Sequence, residues 1–201
     1  MSDIRTVIIT ADSVDRNGPA WAAASQGAVF PEFSFGEPPD SHVSGGIRSA
    51  TGAEEALEML GEGSLLVKVR LGTGGTKSLA GQDSGVGQEA LGRAVSALSE
   101  KSPLKTVFTL IAPGTLAFWG HGIAMGVTGT TVATGLDVLP TLAMVGEFLL
   151  APGVDGRVLF QALRNPSYKQ AQIGRLKAAL ARLEKVLKRT DQEPWDKHDC
   201  A

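Results

Sequence analysis

The sequence is poor in cysteine and histidine. It has one cysteine, Cys200, and three histidines in 201 residues. An internal disulfide is therefore impossible, and we expect a cytoplasmic protein because disulfide frameworks belong to oxidising compartments. No second histidine or cysteine accompanies His121 at the spacing of a metal-ligand pair, and His42 and His198 lie in irregular or terminal segments. We therefore expect no metal site and no cofactor.

A strong charge of either sign is also missing. Lys and Arg number 19, Asp and Glu 21, and the net charge is −2. Such a balance gives no general attraction to nucleic acid or to anionic membranes, so we expect no DNA partner. The first residues lack the pattern of a signal peptide, which agrees with a cytoplasmic location.

One long segment, Thr106 to Leu136, lacks Asp, Glu, Lys and Arg altogether. A membrane span is one interpretation, but Pro113 and six glycines interrupt the segment, so a buried unit is favoured. Its pattern predicts a strand from Thr106 to Ile111, a turn at Ala112–Thr115 and an apolar helix from Leu116 to Met125. A further strand-like stretch, Val127 to Leu136, then completes a βαβ order.

The preceding segments repeat this order. Thr6–Thr10 and Leu65–Leu71 are apolar, β-branched runs typical of strands. Residues 88–101 have helical spacing, and Thr51 with Glu54 predicts a capping box at the start of a helix that runs to Leu60. We therefore predict an α/β fold, a Rossmann-like, mainly parallel sheet with flanking helices. Residues 1–189 form a single domain in this prediction, with an irregular, insertion-like region at 11–52 and a polar tail at 190–201.

A long C-terminal helix is predicted after Pro166, with Ser167 as its N-cap and its end near Arg189. Its apolar residues are spaced three, four, three and four apart, as in a short heptad seam: Ile173, Leu176, Leu180, Leu183 and Leu187. Packing of the seam on the domain's own sheet and self-association through it are both open.

A glycine- and hydroxyl-rich loop follows the Leu65–Leu71 strand. It lacks the P-loop pattern, because Thr76 and Leu71 stand where that motif needs glycine. Its backbone N–H groups, a lysine and hydroxyls could nonetheless surround a phosphate, and the alternative is a plain surface loop. The candidate ligand-binding residues of this loop are Gly72, Thr73, Gly74, Gly75, Lys77 and Ser78.

A second candidate site is the turn Pro113, Gly114 and Thr115. If a helix begins there, Thr115 caps it, Gly114 lets a ligand approach the backbone, and the free N–H groups favour an anion. A plain turn is the alternative. The two turns lie on one edge if their strands are neighbours in a parallel sheet, and their convergence is what predicts a shared anion site.

Catalytic patterns are weak. There is no Gly-x-Ser-x-Gly elbow, and the candidate carboxylates Asp12, Asp15, Asp137 and Glu147 are not paired in the sequence. His121 is more typical of a structural histidine than of a ligand contact. We expect binding rather than catalysis.

Residues 65–134 resemble the carboxyl-terminal part of SAVED domains, the CARF-derived sensors of cyclic oligonucleotides in bacterial defence. Those domains have a small-residue helix, a lysine, an apolar strand that ends in Ala-Pro, and a Leu-Ala helix. The matching segments of this chain are Ala90–Leu98, Lys105–Pro113 and Leu116-Ala117 with Gly120 and Gly122. The resemblance implies a Rossmann-like sensor of a cyclic oligonucleotide in antiviral defence that acts with a separate effector chain.

The expected function is therefore a binding or sensor protein for a phosphorylated, nucleotide-type ligand. It would act through assembly with itself, as a homo-oligomer, or with an effector subunit. Two alternatives stay open. One is a structural, self-assembling protein, which could be viral, and the other is a small transferase or hydrolase with a phosphate-bearing substrate.

Overall fold

The structure is a computed structural model that describes residues 4–34, 47–62, 66–71, 84–102, 105–165 and 167–190. The chain divides into two compact units, Met1–Asn165 and Pro166–Ala201. The first unit carries the sheet, and the second carries the terminal helix.

Strands and helices alternate along much of the described chain. The strands are β1 (Arg5–Ala11), β2 (Ala28–Phe30), β3 (Phe33–Ser34), β4 (Arg48–Ala50), β5 (Leu66–Leu71), β6 (Thr106–Ala112), β7 (Thr115–Gly120), β8 (Val127–Thr128) and β9 (Ala133–Thr134). The α-helices are α1 (Pro19–Ala24), α2 (Ala53–Gly61), α3 (Ser84–Lys101), α4 (Val138–Gly146) and α5 (Ser167–Thr190). Short 3-10 turns occupy Gly135–Asp137 and Phe160–Ala162.

The main sheet has the strand order β4-β5-β1-β6-β7-β2-β8, and β3 pairs with β9 separately. β1 runs parallel to both β5 and β6, and β4 runs parallel to β5. With its flanking helices, this arrangement confirms the predicted α/β class and the Rossmann-like, mainly parallel sheet. Within the described residues, no helix has both the length and the apolar character needed to cross a membrane.

The helix predicted from Leu116 to Met125 is wrong. This segment forms β7, which is antiparallel to β6, and the two strands are joined by a hairpin turn. Both faces of β7 are buried from Thr115 to Trp119. A strand covered on both faces reads as a continuous apolar run, which periodicity cannot distinguish from a buried helix.

Two further expectations need correction. The region 11–52 is not purely irregular, because it contains α1 and three strands, one of which, β2, lies inside the main sheet between β7 and β8. The stretch from Val127 to Leu136 is not one strand. It forms the two short strands β8 and β9, followed by a 3-10 turn.

The core lies on both faces of β1. Val7 and Ile9 point into a cluster with residues of α1, α2 and α3, including Ala20, Leu60 and Val95. α4 contacts β1 and β6. A Cβ placed on Gly146 would lie 3.2 Å from Thr6 Oγ1, so α4 covers the opposite face, which carries Thr6.

Two fully buried threonines of this unit differ in hydrogen bonding. Thr109 Oγ1 on β6 has no partner within the described residues. Thr141 Oγ1 on α4 donates to Asp137 O at 2.7 Å and accepts from the Leu159 N–H at 2.9 Å. The same substitution at the two positions therefore separates the cost of an unpaired hydroxyl from the value of a paired one.

We expect Thr109→Val to raise the free energy of unfolding by about 1 kcal/mol, because it removes a buried hydroxyl that lacks a partner. Thr141→Val should lower it by about 1–3 kcal/mol, because it leaves the buried Leu159 N–H without an acceptor. Urea unfolding of both variants measures the two effects. A loss of stability in Thr109→Val would contradict the assignment.

The start of α2 is held by a side chain other than the predicted Glu54. Thr51 donates from its backbone N–H and from its hydroxyl to Glu55 Oε2, both at 2.7 Å. These two hydrogen bonds, aided by the charge of Arg48, lower the pKa of Glu55. Gly52 is the N-cap and has no side chain to contribute, so the predicted box is displaced by one residue.

A carboxyl whose pKa is lowered by folding stabilises the native state above its ordinary pKa and loses this effect as the pH falls. We expect Glu55→Gln to lower the melting temperature near pH 7. Near pH 3 the melting temperatures of this variant and of the native chain should differ less. Glu54→Gln, in the same helical turn, is the control. Equal effects of the two substitutions at every pH would contradict the role of Glu55.

Candidate functional site

The neighbouring parallel strands β5, β1 and β6 end side by side at one edge of the main sheet. In the strand register, Ala11 of β1 pairs with Leu71 of β5, and Thr10 of β1 pairs with Ile111 of β6. The segments that follow β1, β5 and β6 therefore leave the sheet side by side, at what we call the carboxyl edge. In α/β sheets, ligands bind in the crevice outside the carboxyl ends of the strands.

The glycine-rich loop begins at this edge, because β5 ends at Leu71. The residues of the sequence prediction, Gly72, Thr73, Gly74, Gly75, Lys77 and Ser78, lie outside the described residues.

The second predicted turn lies at the tip of the β6–β7 hairpin. Pro113 and Gly114 are exposed, and Gly114 has φ +65°, which fits a Pro-Gly type II turn. Thr115 is only 2% exposed, and no helix begins there. The helix N-terminus that supported an anion site at this turn is therefore absent from these residues. The start of the turn and the end of β5 lie two strand spacings apart, about 10 Å, across β1.

Gln88 of α3 fastens the loop that follows β1 to this helix. The Asp15 N–H donates to Gln88 Oε1 at 2.9 Å. Gln88 Nε2 donates to Ser13 Oγ at 2.9 Å and to Ser13 O at 3.3 Å. The loop is also braced internally, because the Asn17 N–H donates to Asp15 Oδ1 and the Gly18 N–H donates to Asp15 O.

These contacts form a cleft of about 460 Å³ between the β1 loop and the first turns of α3, which we call the loop–helix cleft. It is lined by Ser13, Val14, Asp15, Gly18, Pro19, Gln88 and Glu89. Its volume is within the usual range for small-molecule sites. Sequence reasoning named Asp15 as a candidate carboxylate but missed Gln88, because a glutamine at a helix start carries no signal that it will bind a loop 73 residues away.

The cleft continues into a shallow groove along α3 that shares Pro19 and Glu89 with it. Helices α1 and α3 approach closely at Gly92, where an added Cβ would lie 2.3 Å from Pro19 Cγ. A side chain at this position would push α1, which begins at Pro19, away from α3. Gly92, which lines the groove, therefore sets how closely α1 and α3 approach each other beside the cleft.

We expect Gly92→Ala to destabilise the protein. An overpacked contact costs about 1–3 kcal/mol, more than the roughly 0.5–1 kcal/mol that alanine gains over glycine within a helix. Gly61→Ala, where a Cβ meets nothing within 4 Å, is the matched control and should not lower the denaturation midpoint. Chemical denaturation compares the two, and an unchanged midpoint for Gly92→Ala would contradict the packing argument.

Both charged residues of the cleft lining are acidic, but Glu89 Oε2 lies 3.7 Å from Arg93 Nη1 of the adjoining groove, one helical turn further along α3. Asp15 and Glu89 are exposed carboxylates in its lining. Arg16 lies beside it, with its guanidinium 5.8 Å from the ring centre of Trp21. Carboxylates accept hydrogen bonds from hydroxyl and amino groups, so this part of the edge is suited to the sugar or base of a ligand rather than to its phosphate.

The other candidate residues lie elsewhere. The His121 N–H donates to Thr106 O, at the opposite end of β6, so this exposed histidine is about 20 Å from the carboxyl edge. Asp137 is 2% exposed and accepts hydrogen bonds from Thr134 and from the Arg157 N–H, which makes it structural. Glu147 is exposed at the end of α4, with φ +54°.

Among the residues that the structure covers, no three His, Cys, Asp or Glu side chains are grouped as metal ligands. Comparison with known proteins finds neither a family profile nor a curated protein that matches this chain.

Proposed function

We propose that this chain is a non-catalytic binding protein for a phosphorylated, nucleotide-type ligand, and that the ligand occupies the loop–helix cleft. The observation that carries the proposal is the Gln88 clamp. It holds a preformed cleft of small-molecule size at the carboxyl end of β1, the strand that lies between the parallel strands β5 and β6. A preformed site spares the ligand the cost of ordering a loop.

In this proposal, the two ends of the ligand meet different chemistry. The sugar hydroxyls donate to the carboxylates of Asp15 and Glu89, as acidic residues do in dinucleotide-binding sheets. The phosphate extends toward the segment that follows β5, where the sequence supplies Lys77 and several glycines. A cyclic oligonucleotide, as the resemblance implies, is one ligand of this class.

Ligand binding would act on assembly, either with another copy or with an effector chain. A ligand shifts such an equilibrium only by its difference in affinity for the two states. One ligand that contacts the loop after β1, helix α3 and the segment that follows β5 would provide this difference in affinity, because it would join parts of the chain that are distant in the sequence.

We expect a thermal-shift and calorimetric screen to find at least one ligand among a nucleoside monophosphate, a dinucleotide, and cyclic di- and trinucleotides. A ligand at 100 times its Kd stabilises the native state by about 2.7 kcal/mol. Asp15→Asn keeps Oδ1 as acceptor for Asn17 but removes the charge, and should raise Kd about 10-fold, as should Lys77→Ala. Asp155→Asn, an exposed carboxylate outside the cleft lining, is the control.

Two outcomes would contradict the proposal: no shift with any ligand at millimolar concentration, or equal affinity in Asp15→Asn, Lys77→Ala and the native chain. Chromatography of the recovered ligand tests the non-catalytic part. Conversion that is lost in Lys77→Ala would instead support the transferase or hydrolase alternative.

A further inference from the structure

The terminal helix α5 carries a stripe of exposed apolar side chains. Ile173 is 43% exposed, Leu176 60%, Leu180 59% and Leu183 62%. Apolar side chains exposed singly are ordinary, but a contiguous row of them is typical of an interaction surface. Since α5 is a continuous helix of 24 residues, the row is straight enough to contact a second helix along its length.

The spacing of the row identifies the kind of partner. With Ile173 and Leu180 at heptad positions a, Leu176 and Leu183 occupy positions d, which is the seam of a coiled coil. Most basic residues are kept away from this seam: Arg175 and Arg182 are at c, and Lys185 is at f. A helix that lies on an anionic membrane instead has cations that flank its apolar face. The pattern therefore favours another helix as the partner.

The charges beside the seam specify which helix. Of the e and g positions between Ile173 and Val186, only two are charged, Lys177 and Glu184, both at e and one heptad apart. In an antiparallel pair, e positions face e positions. When Leu180 of one copy lies opposite Leu183 of the other, Lys177 of each copy lies beside Glu184 of its neighbour.

We propose that α5 associates with α5 of a second copy of this chain as an antiparallel coiled coil, with Leu180 opposite Leu183. The same register places Ala179 beside Val186 at the g positions, so the apolar contact widens on that side. A parallel pair would place Glu184 beside Ala179 and would leave both e-position charges without an opposite charge. The pairing does not depend on the proposed ligand.

Sedimentation equilibrium of the full chain, from about 1 μM to 1 mM, tests the association, because a seam this short gives a weak, reversible dimer. The double variant Leu180→Lys, Leu183→Lys should be monomeric throughout. Its control adds the same two charges on the outer face, at positions f and b, as Ala178→Lys with Ala181→Lys, and should remain dimeric. Circular dichroism verifies that each variant keeps its helix content.

Charge reversal tests the orientation. Lys177→Glu and Glu184→Lys should each weaken self-association at least about 10-fold, because like charges then face each other twice. An equimolar mixture of the two variants should restore dimers, as heterodimers, since every facing pair again has opposite charges. Mass spectrometry under native conditions distinguishes heterodimers from homodimers.

Four results would overturn the proposal. The native chain could be monomeric at all concentrations, or a dimer could persist in the double leucine variant, which would assign the contact to another surface. Dimers insensitive to both charge reversals would exclude the antiparallel register. Binding of a monomeric chain to phosphatidylserine vesicles, lost in the double leucine variant, would assign the stripe to a membrane surface.

Discussion

The pairing of β1 with two parallel neighbours is the constraint on which the first unit depends. Every residue from Thr6 to Ala11 is buried, so this strand must be covered on both faces and hydrogen-bonded on both edges. Its register determines where β5 and β6 end, and thus which loops share the carboxyl edge. A shift of one residue would exchange the faces of β1 and move Thr6 and Thr10 into the apolar cluster of Val7 and Ile9.

The fold was predictable where the pattern of local sequence matched its final environment. The sequence predicts β1, β5, β6 and α3 correctly, because β-branched runs and an apolar helix face are recognisable in the sequence even when the element is buried. β7 was not predicted as a strand. Because both of its faces are buried, its sequence lacks the alternation of apolar and polar residues that is typical of a strand. The Pro113–Gly114 turn gave little help, because a Pro-Gly type II turn is not among the favoured two-residue hairpin turns and the same residues also fit a strand-to-helix turn.

The candidate site was predictable only in part, for a related reason. The sequence indicates which strands end in loops, and the parallel order then brings these ends together. It does not indicate which side chain fastens one loop to another element. Gln88 satisfies the Asp15 N–H and both oxygen atoms of Ser13 at once, and this role depends on the distance between α3 and the β1 loop in the folded chain. Long-range contacts between polar side chains and loops have no periodicity to reveal them.

The cleft and the apolar stripe belong to different units of the chain, and thermodynamic linkage states what would be required for them to work together. Linkage is reciprocal: if a ligand in the cleft strengthens pairing of α5, then pairing must strengthen ligand binding by the same factor. A ligand with equal affinity for the monomer and the dimer would change neither. Without a conformational switch, pairing would still place two clefts in one assembly, and a ligand with two equivalent ends that reaches both would bind the dimer more tightly through avidity and would therefore favour pairing. The two mechanisms differ in one respect: a switch alters the dimer dissociation constant even with a ligand that has a single end, whereas avidity requires two.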